Sequence, residues 1–204
     1  MYLVILGRQG SGKGTQCTRL VEHYGCPHVS TGDMLRAARE EGTEMGRKAG
    51  EIMDAGGLVP DEVMFGIVAE RLAKPDVLKH GVLLDGFPRT AGQADELERM
   101  LAEHGERLDV AINLDVPVEE VTKRMLTRGR EDDTPEAIAE RLRLYEEQTA
   151  PLVEWFDGHG LLAVVDGLGE EDEVFHRLVA TVDAKTRGAS QGEPLPAADD
   201  DVVD

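Results

Sequence analysis

Gly7-Arg8-Gln9-Gly10-Ser11-Gly12-Lys13 spells GxxxxGK between an apolar run, Tyr2 to Leu6, and an amphipathic stretch that opens at Lys13. Glycines let a backbone curl until successive N–H groups face one point. A following helix adds the partial positive charge of its N-terminus, and a lysine ammonium reaches outward. That combination cradles the phosphates of a nucleotide when it lies between a strand and a helix. One detail departs from the general pattern. Gly14 follows Lys13, and the hydroxyl comes one position later, at Thr15. A motor or switch protein keeps a metal-binding Ser or Thr directly after the lysine.

The elements that must hold such a loop are short apolar runs with the length of buried strands. They are Tyr2 to Leu6, Val82 to Leu84, Val110 to Leu114, Leu161 to Val165 and, more weakly, His28-Val29. Between them lie helical patterns: Lys13 to Tyr24, Pro60 to Ala73, Gln93 to Glu103, Val118 to Leu126 and Pro135 to Phe156. Strand and helix in alternation predict an α/β fold, a five-stranded parallel sheet with helices on both faces. Residues 30–60 are helical and Gly-punctuated without a strand, which predicts a small helical insertion. Thr127 to Pro135 is a charged turn. From about Arg187 the chain turns to Gly, Pro and Asp, which predicts a disordered acidic tail. The expected organisation is a core of 1–29, 61–126 and 134–186, an insertion of 30–60, a turn of 127–133 and a tail of 187–204.

Composition narrows the partners. The 204 residues suit one domain and carry 41 Asp and Glu against 22 Lys and Arg, a net charge of -19. Gripping nucleic acid or an anionic membrane needs a basic footprint, so neither is expected as a partner. A small anionic ligand stays open, because a local cluster can oppose the global sign. The cations are 16 Arg and only 6 Lys, and the arginine fork suits phosphate oxygens. Two cysteines, Cys17 and Cys26, cannot supply a four-thiolate zinc site and read as reduced thiols of a cytoplasmic protein. Neither a signal peptide nor a membrane span is legible. The six histidines lack metal-ligand spacing and read as surface or packing residues. Trp155 and Phe156 read as core.

Five segments in order resemble the adenylate kinase family, over the chain to about residue 185. They are Gly7 to Thr15, Ser30-Thr31-Gly32-Asp33-Met34-Leu35-Arg36, Gly57-Leu58-Val59-Pro60, Asp85-Gly86-Phe87-Pro88-Arg89-Thr90 with Gln93, and Arg128-Gly129-Arg130-Glu131-Asp132-Asp133 with Arg141. The resemblance implies a P-loop fold with a monophosphate-binding insertion and a short lid. It implies magnesium-dependent transfer, ATP + AMP to 2 ADP. Such a reaction crowds anionic oxygens into one space and needs positioning and charge neutralisation.

By resemblance Gly10, Ser11, Gly12, Lys13, Gly14 and Thr15 hold the ATP phosphates, Arg124 lies against its adenine, and Arg128 grips its phosphates. Thr31, Arg36, Gly57, Leu58, Val59, Gly86, Phe87, Pro88, Arg89 and Gln93 hold AMP. Arg130 and Arg141 close over both substrates, and Lys13, Arg89, Arg128, Arg130 and Arg141 serve the transfer. Asp85 holds magnesium through water. Asp33 reads as a helix cap. Thr31 and Gln93 stand where UMP/CMP kinases carry Ala and Asn, which favours AMP over a pyrimidine monophosphate. A pyrimidine kinase and a non-catalytic nucleotide sensor remain the alternatives. Two departures matter. Gln9 replaces the loop proline of the family. The lid is reduced to Gly129 between two arginines, so no zinc lid is expected. A monomer is expected.

Overall fold

The computed structural model describes residues 1–42, 44–54, 57, 59–130 and 133–189. The elements run β1 (Tyr2–Leu6), α1 (Lys13–Tyr24), β2 (His28–Ser30), α2 (Thr31–Glu40), α3 (Glu44–Asp54), α4 (Asp61–Leu72), α5 (Pro75–His80) and β3 (Val82–Asp85). They continue as α6 (Ala91–Glu103), β4 (Val110–Asp115), α7 (Val118–Arg128), α8 (Pro135–Leu144), a π-helical turn (Tyr145–Thr149), α9 (Ala150–Gly158), β5 (Leu162–Asp166) and α10 (Glu171–Ala189).

The strands lie in the order β2-β3-β1-β4-β5, all parallel. β1 is buried along its whole length, as a central strand covered on both faces must be. Its side chains alternate between two cores. Tyr2, Val4 and Leu6 meet Val68 and Leu72 of α4, Leu97 and Leu101 of α6 and Phe156 of α9. Leu3 and Ile5 meet Cys17 and Leu20 of α1 and Val174, Leu178 and Val182 of α10. Successive strands add on one side of β1, then on the other. The loop after β1 therefore sits where the strand order reverses, the place where open α/β sheets bind ligands.

The five strands and the first helix match the reading from sequence to within a residue or so. Several other expectations need correcting. The stretch 135–156 is not one helix: Pro151 has no N–H to give and would crowd a carbonyl one turn back. The chain answers with a π-turn, in which the Ala150 N–H bonds the Tyr145 oxygen five residues back. Helix α7 runs on through Arg128, so the charged turn is shorter than expected. Helix α10 continues to Ala189, past the expected start of the tail at 187. The rest of that tail lies outside the described residues. The cap of α2 is Ser30, whose hydroxyl accepts the Asp33 N–H at 3.3 Å, so Asp33 is not the cap.

Candidate active site

The loop after β1 turns on three glycines with positive φ, Gly7, Gly10 and Gly12. Gly10 also needs the missing side chain. A Cβ there would lie 2.7 Å from the Val121 carbonyl of α7, so the loop packs directly on that helix. Ser11 is buried beneath it. The Lys13 ammonium donates to the Gly7 and Arg8 carbonyls at 2.6 and 3.0 Å. Burial pushes it below the usual lysine range, against the pull of the Asp85 carboxylate.

A cleft of about 450 Å³ opens above this loop, lined by Gly10, Gly12, Lys13, Gly14 and Thr15. Arg36, Arg89, Arg124, Arg128, Arg130 and Arg141 line the same cleft. The fold thus gathers cations from α2, the β3–α6 loop, α7, the α7–α8 turn and α8. Arg36, Arg89, Arg124, Arg128 and Arg141 are each aimed by a partner. Arg124 donates to Glu120 at 2.8 Å and to the Ser11 carbonyl at 3.3 Å. Arg36 pairs with Asp33. Arg89 donates to the Gly86 carbonyl at 2.9 Å.

Asp133 organises the turn between α7 and α8. Its carboxylate accepts Arg128 at 2.6 and 2.8 Å and Arg141 at 3.2 Å, while Arg141 also reaches the Met53 carbonyl of α3 at 3.1 Å. Burial alone would raise the Asp133 carboxyl. The two arginines outweigh that and hold it below the usual range.

Asp85 ends β3 at the cleft. Burial would raise its carboxyl too, but His28, Lys13 and Arg89 hold it low. An ionised oxygen donor beside phosphate-binding groups fits Mg²⁺, which takes one or two carboxylates and keeps several waters. His28 was read from sequence as a surface or packing residue. Its Nε2 instead lies 3.8 Å from the Asp85 carboxylate, and Cys17, His28 and Asp85 bring donor atoms within 4.8 Å of one another.

A smaller cavity, about 30 Å³, adjoins the cleft and is lined by Thr31, Gly57, Val59, Gly86, Arg89 and Gln93 among others. That volume suits about one water, so a base enters only if the walls part. Thr31 and Gln93, far apart in sequence, therefore line one cavity. Pro88 lines the larger cleft. Phe87 lines neither cavity; its ring is buried in the core, edge-on to Phe65 at 6.2 Å. Its side chain packs in the core, so what Phe87 can offer the cleft is its backbone. Leu58 and Asp132 lie outside the described residues.

Three positioning groups escaped the sequence. Arg8 donates to Glu146 at 2.8 Å and lies over the Tyr145 ring at 5.3 Å, which ties the phosphate loop to the π-turn. Glu120 aims Arg124. Asp61 of α4 accepts the Gln93 amide at 2.6 Å. An acidic residue one turn before an arginine is a visible signal for Glu120. Nothing in the sequence signals the other two.

Comparison with known proteins agrees with this geometry. The family described as "Adenylate kinase" matches residues 5–161. The adenylate kinase of Stenotrophomonas maltophilia (strain K279a) is 50% identical over 188 residues, covering 90% of this chain and 100% of that protein. That of Phocaeicola vulgatus is 46% identical over 187 residues, 90% of this chain and 98% of its own. That of Nocardia farcinica is 48% identical over 177 residues, 87% and 96%.

Proposed function

The chain belongs to the adenylate kinase family, and from that membership we propose how its cleft moves a phosphoryl group between two nucleotides. Its activity is that of an adenylate kinase, a nucleoside monophosphate kinase running ATP + AMP to 2 ADP and back. The observation that carries the detailed reading is the gathering of Lys13 and six arginines around one cleft in a chain of net charge -19.

In this reading Gly10 to Thr15 cradle the ATP phosphates, and Lys13 exchanges its two carbonyl partners for phosphate oxygens. Its lowered pKa comes from desolvation, which an incoming polyanion relieves. Arg124 lies against the donor base and Arg128 on the donor phosphates. Arg36 and Arg89 take the AMP phosphate, with Thr31 and Gln93 at its base and the backbone of Gly57, Leu58, Val59, Gly86 and Pro88 around it. Arg130 and Arg141 bridge the two nucleotides as the lid turn closes. The acceptor is an ionised phosphate oxygen of AMP and needs no general base: it bonds to the γ-phosphorus as the bond to the bridging oxygen breaks and leaves ADP, so the transfer rests on alignment and neutralisation.

Asp85 is the residue suited to hold Mg²⁺ through water, and a bound ion would supply further charge neutralisation at the phosphates. A core of 1–29, 61–126 and 134–186, with a monophosphate-binding helical insertion at 30–60 and a short lid at 127–133, suits a small hinged closure. We further propose a monomer in the cytoplasm, where buried free thiols such as Cys17 and Cys26 stay reduced. Among the described residues no helix is long and apolar enough to cross a membrane.

A coupled assay across AMP, GMP, CMP and UMP tests the acceptor. AMP is expected to lead. Faster turnover of a pyrimidine overturns the base assignment, and no turnover of any of them supports the non-catalytic sensor.

A further inference from the structure

We infer that Asp61 is a specificity-positioning residue: it fixes which way round the Gln93 amide faces, and so selects a 6-amino purine over a 6-oxo purine. The inference rests on the proposal that Gln93 meets the acceptor base.

The Gln93 side chain is 3% exposed and held at both ends. Its Nε2 donates to Asp61 Oδ1 at 2.6 Å, and its Oε1 accepts the Arg89 backbone N–H at 2.8 Å. A carboxylate can only accept and a backbone N–H can only donate. Turning the amide over would face oxygen to oxygen at one end and N–H to N–H at the other. Buried polar groups seldom tolerate even one such mismatch. The orientation is therefore set by its neighbours. Thr90, the cap of α6, fixes the backbone of the same residue by accepting the Gln93 N–H at 3.2 Å.

An amide held this way keeps one N–H and one lone pair to spend, in a fixed order along the wall of the small cavity. An adenine edge sets a ring-nitrogen acceptor beside an N–H₂ donor. A guanine edge sets a ring N–H donor beside a carbonyl acceptor, the reverse order. With the base pose tethered by its ribose and phosphate, only the first order matches. A free glutamine could flip and serve both purines. Asp61 and the Arg89 N–H together remove that freedom, and Asp61 does so without touching the base. It sits 32 positions away in sequence, in the first turn of α4. Its residue is exposed, so it can change with little cost to the core.

The test compares kcat/KM for AMP and GMP, at saturating MgATP, in the unaltered protein and in Asp61→Asn, Asp61→Glu and Gln93→Leu. Asparagine can donate or accept, so it removes one of the two mismatches that oppose the flip and leaves the Arg89 N–H as the only remaining hold on the amide. The AMP:GMP ratio is expected to fall about tenfold or more in Asp61→Asn, with KM for ATP unchanged. Asp61→Glu keeps an acceptor-only group and is expected to hold the ratio within about threefold of the unaltered protein. A helix-capping or dipole role for Asp61 would shift stability and leave the ratio alone. If Asp61→Asn leaves the ratio unchanged while Gln93→Leu collapses it, the inference about Asp61 fails and Gln93 still reads the base. If Gln93→Leu also leaves it unchanged, the base assignment itself fails.

Discussion

Removing the Asp133 carboxylate tests how the turn between α7 and α8 is held. Asp133 has a side chain 1% exposed, and it accepts from Arg128 and from Arg141, whose side chain is 7% exposed. Asp133→Ala takes one carboxylate partner from the buried Arg141 charge, which keeps the Met53 carbonyl. Breaking a buried pair at one partner costs about 3–5 kcal/mol. Arg128 is 29% exposed, and water replaces part of its loss, so about 2–4 kcal/mol is expected. For a protein of this size that corresponds to a fall of about 5–12 °C in Tm.

The same pair gives the pH dependence a sign. The folded Asp133 carboxyl is held below its ordinary value: burial raises it, and Arg128 and Arg141 more than reverse that. A depressed folded pKa stabilises fully above the unfolded value of about 3.9 and loses that contribution as pH falls through the folded value. Urea unfolding at about pH 7 should show the full gap between the unaltered protein and Asp133→Ala, and at about pH 3 a smaller one. A gap under about 1 kcal/mol at neutral pH, or one of equal size at both, refutes the reasoning.

Lys13→Met should lower kcat by about a hundredfold or more while the far-ultraviolet circular dichroism stays native, since the side chain serves the substrate; near-normal turnover would contradict its role. Gly10→Ala meets the Val121 carbonyl at 2.7 Å and a backbone at φ +83°. It should cost about 1–3 kcal/mol by thermal melting and raise KM for ATP more than KM for AMP. Gln9→Pro, which restores the family residue, should change kcat by less than about tenfold, because proline fixes one φ and removes one N–H; a hundredfold change would mean that Gln9 contacts substrate.

What could be read in advance was local. The phosphate loop announces itself because strand, glycines, lysine and helix are adjacent, and the apolar runs mark the strands because a doubly covered sheet needs them. Pro151 is a local signal for the break at 145–149, and Val174, Leu178 and Val182 carry the spacing of the final helix. Helix α5, at six residues, is too short for its period to stand out. The six arginines were legible only as members of motifs, since nothing about an isolated Arg says which way it points. Asp61 with Gln93 and Arg8 with Glu146 were beyond reach, because residues 32 and 138 positions apart meet only through the sheet order.

The π-turn at Tyr145–Thr149 acts as a phase adjuster. An α-helix advances about 100° per residue, so one extra residue in a turn rotates everything after it by that angle. Before the turn, Arg141 faces the cleft; after it, Leu152 and Phe156 face the core. Tyr145 and Thr149, at the two ends of the turn, both line the cleft. Deleting one residue from this segment would restore a regular helix and swing either the arginine or the core pair out of register. The chain cannot lose length here without choosing between its chemistry and its packing.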